Sequence, residues 1–156
     1  MKAIRINLKD KSIWLWITLP LLMNLLCILL ATTFLPEFME HLAGRTERLI
    51  SFNQLALLIL QLAILALGEE IAWRGFFQKQ VSKWLPILPT LMVTSLLFSI
   101  AHFTVGDMVV VSYDLFFIFI NSMLYGIVFH KTNNAWISAF SHFIANLSVA
   151  FLLFFM

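Results

Sequence analysis

LALLILQLAILALGEEIAWRGFFQ, Leu55 to Gln78, starts as a membrane-spanning helix and then breaks the rule for one. An apolar run interrupted only by Gln61 leads straight into Gly68, Glu69 and Glu70, with Arg74 four residues further on. A helix needs about 20 mostly apolar residues to cross a bilayer. Three ionisable groups therefore fall before the span is complete. On insertion scales such a group near the bilayer centre costs at least about 2.5–3.5 kcal/mol, so it is expected to face a bundle interior and to pair there. This stretch reads as one helix of an all-α, polytopic transmembrane bundle with a polar interior.

The rest of the chain agrees. Its 156 residues are 62% hydrophobic and 12% charged, with a mean hydropathy of +0.95. A soluble domain has about 45–50% apolar and about 25% charged residues. A net charge of +2 gives no reason to expect a nucleic-acid partner. The bilayer itself is the first partner. Cys27 is the sole cysteine, which excludes a disulfide framework and a CxxC metal site. No linker, repeat or low-complexity tract divides the chain, so it reads as a single domain overall. Residues 1–51 hold an N-terminal transmembrane helix and an external loop; residues 52–156 hold the motif-bearing core.

About five spans are expected: Ile13–Leu35, Phe52 to about Lys83, Pro86–Phe103, Met108–Phe129 and Ala135–Met156. Backbone polar groups must be satisfied inside lipid, so these are helices. Lys2, Arg5, Lys9, Lys11, Lys79, Lys83 and Lys131 fall on one side of five spans. Arg45 and Arg48, diluted by Glu37, Glu40 and Glu47, fall on the other. The positive-inside rule then places the N-terminus in the cytoplasm. The first span is read as retained, because it is long for a signal peptide and ATTFLPE offers no clean A-x-A site. Trp14, Trp16, Trp84 and Trp136 stand near span ends, where an interfacial belt belongs.

Within the spans, Glu70 and Arg74 are spaced i,i+4 and share a helical face. Glu69 is rotated about 100° from Glu70. Arg74 can thus neutralise Glu70 as a packing pair and leave Glu69 for chemistry, since a desolvated carboxylate suits proton transfer near neutral pH. In SLLFSIAHF, Phe98 and His102 are i,i+4. His102 taken alone is equally readable as a hydrogen-bonded packing residue. In NNAWISAFSHFIAN, His142 and Asn146 are i,i+4, so their side chains can reach one point and donate to a developing oxyanion. Interhelical hydrogen bonding is the plainer alternative. Asp114 and Asn121 share a face of span four as packing groups or cavity lining. His41 and His130 fall at expected loop edges, in solvent. On straight, upright helices His102 and His142 would differ in depth by roughly 10 Å or more, so a tilt or a late start of span three is needed for them to meet.

Taken together, three stretches resemble the CPBP intramembrane proteases, which include type II CAAX prenyl endopeptidases and bacterial proteins linked to bacteriocin self-immunity. EEIAWRG resembles that family's E-E-x-x-x-R, FSIAH its F-x-x-x-H, and HFIAN its H-x-x-x-N/D. The resemblance covers roughly Leu55 to the C-terminus. It implies an intramembrane endopeptidase of the bacterial plasma membrane, acting on a peptide or membrane-protein substrate. Glu69 corresponds to the general base that activates water, His102 to its partner, His142 and Asn146 to the oxyanion-stabilising group, and Glu70 and Arg74 to the supporting ion pair. No obligatory cofactor is expected. The alternative is a divalent metal such as zinc, with Glu69, His102 and His142 as candidate ligands. The chain departs from the family in having fewer helices, and oligomerisation is one way to close the cavity. Rival readings are a non-catalytic immunity protein that binds a toxin or its receptor, and a proton- or metal-coupled carrier. The carrier is disfavoured by the lack of an inverted repeat. The site is expected to open toward the cytoplasmic leaflet.

Overall fold

The computed structural model describes residues 11–46 and 54–155. Lys2, Arg5, Lys9, Glu47, Arg48, Phe52 and Met156 lie outside them. Helix α1 covers Ser12–Phe34 and α2 covers Glu37–Thr46. Helix α3 runs continuously over Leu55–Val81, α-helical over Leu55–Glu70, π-helical over Ile71–Gln78 and α-helical again over Lys79–Val81. Helices α4, α5 and α6 cover Ile87–Ala101, Met108–Thr132 and Ala135–Phe155. No strand occurs among the described residues. The protein is an all-α polytopic bundle.

Four of these helices, α1, α3, α5 and α6, are long and apolar enough to cross a membrane. The expected third span is not: α4 has 15 residues. At 1.5 Å per residue it covers about 22 Å, short of the roughly 30 Å hydrocarbon core. Pro86 precedes it and His102 closes it, so the apolar run Pro86–Phe103 overstates the helix at both ends. The expected external loop is also only partly a loop, because α2 occupies ten of its residues.

The helices form a ring. α3 packs on α6, α6 on α1, α1 on α5 and α5 on α4; the π segment of α3 then meets α4 and closes the circuit. Apolar clusters hold the two ends. Ile13, Ile17, Val128 and Ile137 pack where α1 begins. Cys27, Ala31, Phe38, Val110 and Phe117 pack beneath α2. Between them the interior is polar: Glu70, Arg74, Gln78, Ser95, Asn121, Ser138 and His142 are all buried. Small hydroxyl residues at these crossings let the backbones approach closely. Gly126 does the same for three helices, since a Cβ there would lie 2.6 Å from Leu91 Cδ2 and 2.9 Å from Gln78 Oε1.

Asp114, His41 and Arg45 fasten α2 to α5. His41 Nε2 lies 3.0 Å and Arg45 Nη1 2.5 Å from Asp114 Oδ2. His41 is therefore a paired, part-buried residue rather than a solvated loop residue. An amphipathic helix of ten residues does not hold itself in place in isolation, so this cluster and the buried ring of Phe38 must do so. Asp114→Ala is expected to speed tryptic cleavage after Arg45 several-fold in detergent micelles. An unchanged rate would assign the hold to Phe38 alone.

Candidate active site

The π segment aims the site. Along an α-helix, every fourth residue drifts by about 40° around the axis. Wider winding from Ile71 to Gln78 counters that drift, and Glu70, Arg74 and Gln78 all point inward, at 0%, 1% and 3% exposure. π turns are rare and concentrate at functional sites.

Glu70 is the hub. Arg74 Nε approaches its Oε2 at 3.4 Å, an ion contact that lacks hydrogen-bond alignment. Ser138 Oγ donates to the same oxygen at 2.5 Å, and His142 Nδ1 donates to Oε1 at 3.1 Å. Arg74 Nη2 donates onward to the carbonyl and hydroxyl of Ser122 at 3.1 and 3.0 Å. Its guanidinium carbon sits 4.8 Å from the Phe98 ring centre and 5.9 Å from that of Tyr125, so aromatic faces supply part of the cation's solvation. Sequence reasoning expected Glu70 and Arg74 to pair, and they do. It missed Ser138, Ser122 and Tyr125, and it did not foresee that Glu70 would hold His142.

Glu69, one residue earlier, makes no hydrogen bond to protein among the described residues. Its side chain is 33% exposed, and its Oε2 lies 3.9 Å from both His102 Nε2 and His142 Nε2. The two histidines do converge despite their different distances from the helix starts. His102 follows the last residue of α4 and folds back, its Nδ1 lying 2.8 Å from the Phe98 carbonyl. A carbonyl only accepts, so His102 Nδ1 carries the hydrogen and its Nε2 faces Glu69. His142 is oriented alike by Glu70 and is stacked against Tyr125, with ring centres 4.4 Å apart and planes 20° apart. Asn146, one turn beyond His142, lines the same cavity.

That cavity, about 330 Å³, runs from Glu69, His102 and His142 past Asn121 to Arg45 and Leu42 of α2. It extends toward the end of the bundle where α2 lies, not toward the end where α1 begins, as the sequence had suggested. Asn24 and Asn121 form a ladder across it. Asn121 Nδ2 donates to Asn24 Oδ1 at 2.5 Å, and Asn24 Nδ2 donates to the Ala145 carbonyl at 2.9 Å.

Among the described residues no three His, Cys, Asp or Glu side chains are placed to hold a metal ion. Tetrahedral zinc with bonds of about 2.0–2.1 Å would set its donor atoms about 3.4 Å apart. The 3.9 Å separations of Glu69 from both imidazoles are wider than that. Glu69, His102 and His142 as placed do not fit the ion.

Fold and site together define a membrane-embedded helix bundle in which one glutamate and two histidines converge on a single cavity. A sequence model of the type II CAAX prenyl endopeptidase Rce1-like family matches residues 51–148, and the chain belongs to that family. It is an integral membrane protein of a peptidase family. No curated protein and no solved structure matched the chain.

Breaking the Glu70–Arg74 pair and replacing Glu69 are expected to differ in their effects on stability. Removing one partner of a buried pair typically costs about 3–5 kcal/mol, so Arg74→Ala should unfold far earlier than wild type in detergent. Glu69→Gln, at a part-exposed position without a protein hydrogen bond, should stay within about 0.5 kcal/mol of wild type. Thermal unfolding followed by circular dichroism checks both.

Proposed function

We propose that the protein is an intramembrane endopeptidase in which Glu69 activates water to cut a peptide bond of a membrane-associated substrate. The observation that carries this reading is the pair of 3.9 Å approaches of His102 and His142 to one oxygen of Glu69. That distance is too long for a direct hydrogen bond and suits groups that share one water.

Proton counting assigns the roles. Three groups face the water, and water has two hydrogens to give. If Glu69 and both Nε2 atoms were acceptors, one would be left unmatched. Charge points the same way. Glu69 and Glu70 bring two negative charges and Arg74 one positive, and a proton on a histidine balances them. His142 is the natural holder, because its Nδ1–H already faces the Glu70 carboxylate. Water then donates to Glu69 and to His102, while His142 Nε2–H and the Asn146 carboxamide face the substrate carbonyl. Glu69 takes a proton as the water oxygen bonds to the carbonyl carbon, and the C=O electron pair moves onto oxygen. His142 and Asn146 stabilise that oxyanion. The carbonyl then reforms, the C–N bond breaks, and Glu69 returns the proton to the departing nitrogen. No metal-bound step is needed.

The cavity is too small for an intact helix about 10–12 Å across, so the substrate must present an extended segment. Lys11, Lys79, Lys83 and Lys131 gather at the end where α1 begins, which supports a cytoplasmic placement of that end in a bacterial plasma membrane. The resemblance to CPBP proteins linked to bacteriocin self-immunity is what supports a role in bacteriocin processing or self-immunity.

The test compares newly formed peptide termini in membranes of cells carrying wild type or Glu69→Gln at matched abundance. Loss of a general base costs about 10²–10⁴-fold in rate, so termini dependent on Glu69 should disappear. Identical profiles, together with bacteriocin immunity that survives the substitution, would replace cleavage with binding.

A further inference from the structure

The chain has 16 phenylalanines and 2 tyrosines, so each tyrosine hydroxyl asks for a reason. Tyr113 has one: it donates to the Cys27 carbonyl at 2.6 Å. Tyr125 is 2% exposed, yet its hydroxyl has no protein hydrogen-bond partner among the described residues. The oxygen is not sealed off either, since it is not among the buried side-chain atoms that lack a partner, so it has access to the cavity that the residue lines. A position needing only an aromatic face against His142 and Arg74 would be served better by phenylalanine.

Its surroundings supply the reason. Tyr125 lines the same cavity as Glu69, His102, His142 and Asn146. Its ring lies nearly parallel to that of His142, 4.4 Å away. Donors on the rims of two such rings can meet on a single oxygen between them, because two hydrogen bonds of about 2.8 Å reach across about 5.6 Å.

We propose that Tyr125 is a further catalytic residue, its hydroxyl donating a hydrogen bond to the oxyanion formed when water adds to the substrate carbonyl. The role rests on the peptidase reading above. Tyr125 keeps its proton throughout; no bond to it forms or breaks, and its hydrogen bond strengthens as charge gathers on the carbonyl oxygen. His142 Nε2–H approaches that oxygen from the neighbouring ring and Asn146 from the next turn of α6. The stacking thus has a second use beyond packing, since it fixes the spacing of two donors.

Tyr125→Phe removes the hydroxyl and keeps the ring. The experiment follows the Glu69-dependent termini in cells expressing wild type, Tyr125→Phe or Tyr125→Leu. It then measures kcat and KM with purified full-length protein on a synthetic peptide spanning the cleavage site so found. Loss of one oxyanion donor costs about 10²–10³-fold in kcat. Tyr125→Phe is expected to show that loss with KM changed less than about threefold, and with a thermal midpoint no lower than wild type. Tyr125→Leu should lose both activity and stability, because it also unstacks His142. Cleavage by Tyr125→Phe at the wild-type rate, or a loss matched by lowered stability, overturns the assignment while leaving the peptidase reading intact. If wild type itself yields no Glu69-dependent termini, the peptidase reading fails and the Tyr125 role fails with it.

Discussion

A carboxylate with no exposure in the middle of a membrane bundle has to be answered by protein on every side, and Glu70 is that carboxylate. Its partners come from two helices: Arg74 from the next turn of α3, and Ser138 and His142 from successive turns of α6. Arg74 extends the requirement to Ser122 on α5 and to the face of Phe98 on α4. One buried charge thus draws its partners, directly or through Arg74, from four helices. Apolar surface gives little reason for helices to associate within lipid, which is itself apolar. A network of this kind supplies the specificity that packing in lipid lacks. Its parts stand or fall together, since a partly satisfied buried charge is worse than none.

The same interaction explains why neighbouring glutamates differ. Glu70 is committed on both oxygens. Glu69, about 100° around the helix, faces the cavity with no protein hydrogen bond and finds two imidazoles at equal distance. Each imidazole is anchored through Nδ1, one by a carbonyl and one by Glu70, so each presents Nε2. Glu70 thereby sets the orientation of the ring that faces Glu69. The two are coupled through His142 although they do not share a partner oxygen.

Much of this was legible in the sequence, because ionisable groups stand out against an apolar background. Glu69, Glu70, Arg74, His102 and His142 could be found that way, and i,i+4 spacing was enough to pair Glu70 with Arg74. Ser138, Ser122 and Tyr125 could not be found, since small hydroxyl and aromatic residues are ordinary in membrane helices and carry no signal of their own. The π winding was equally invisible: composition does not distinguish it from a continued α-helix. The length of α4 was misjudged because Pro86 and His102 are part of an apolar run without being part of its helix. Glu37–Thr46 read as a loop because its charges of both signs conceal one buried face, Phe38, and one cross-helix partner, Asp114. His41 was misplaced for the same reason.

The family match begins at residue 51, after α1, yet α1 is not an appendage to the site. It lies between α5 and α6 and reaches both through hydrogen bonds. Ser141 donates to the Ile17 carbonyl at 2.7 Å, one residue before His142. Asn24 donates to the Ala145 carbonyl, one residue before Asn146. The orientation of this second contact is forced by chemistry. A carbonyl only accepts, so Asn24 must turn its amide nitrogen toward Ala145 and its oxygen toward Asn121, which in turn must offer its own nitrogen. The two residues that α1 holds are therefore the immediate neighbours of the two polar groups that α6 contributes to the cavity. α1 fixes the axial position of α6 at both of them, as Glu70 fixes the rotation of His142. Without α1, the histidine would keep its carboxylate but lose its register against Glu69. The motif-bearing core supplies the carboxylates and imidazoles of the site, and the first helix supplies the rigidity that keeps them within reach of one another.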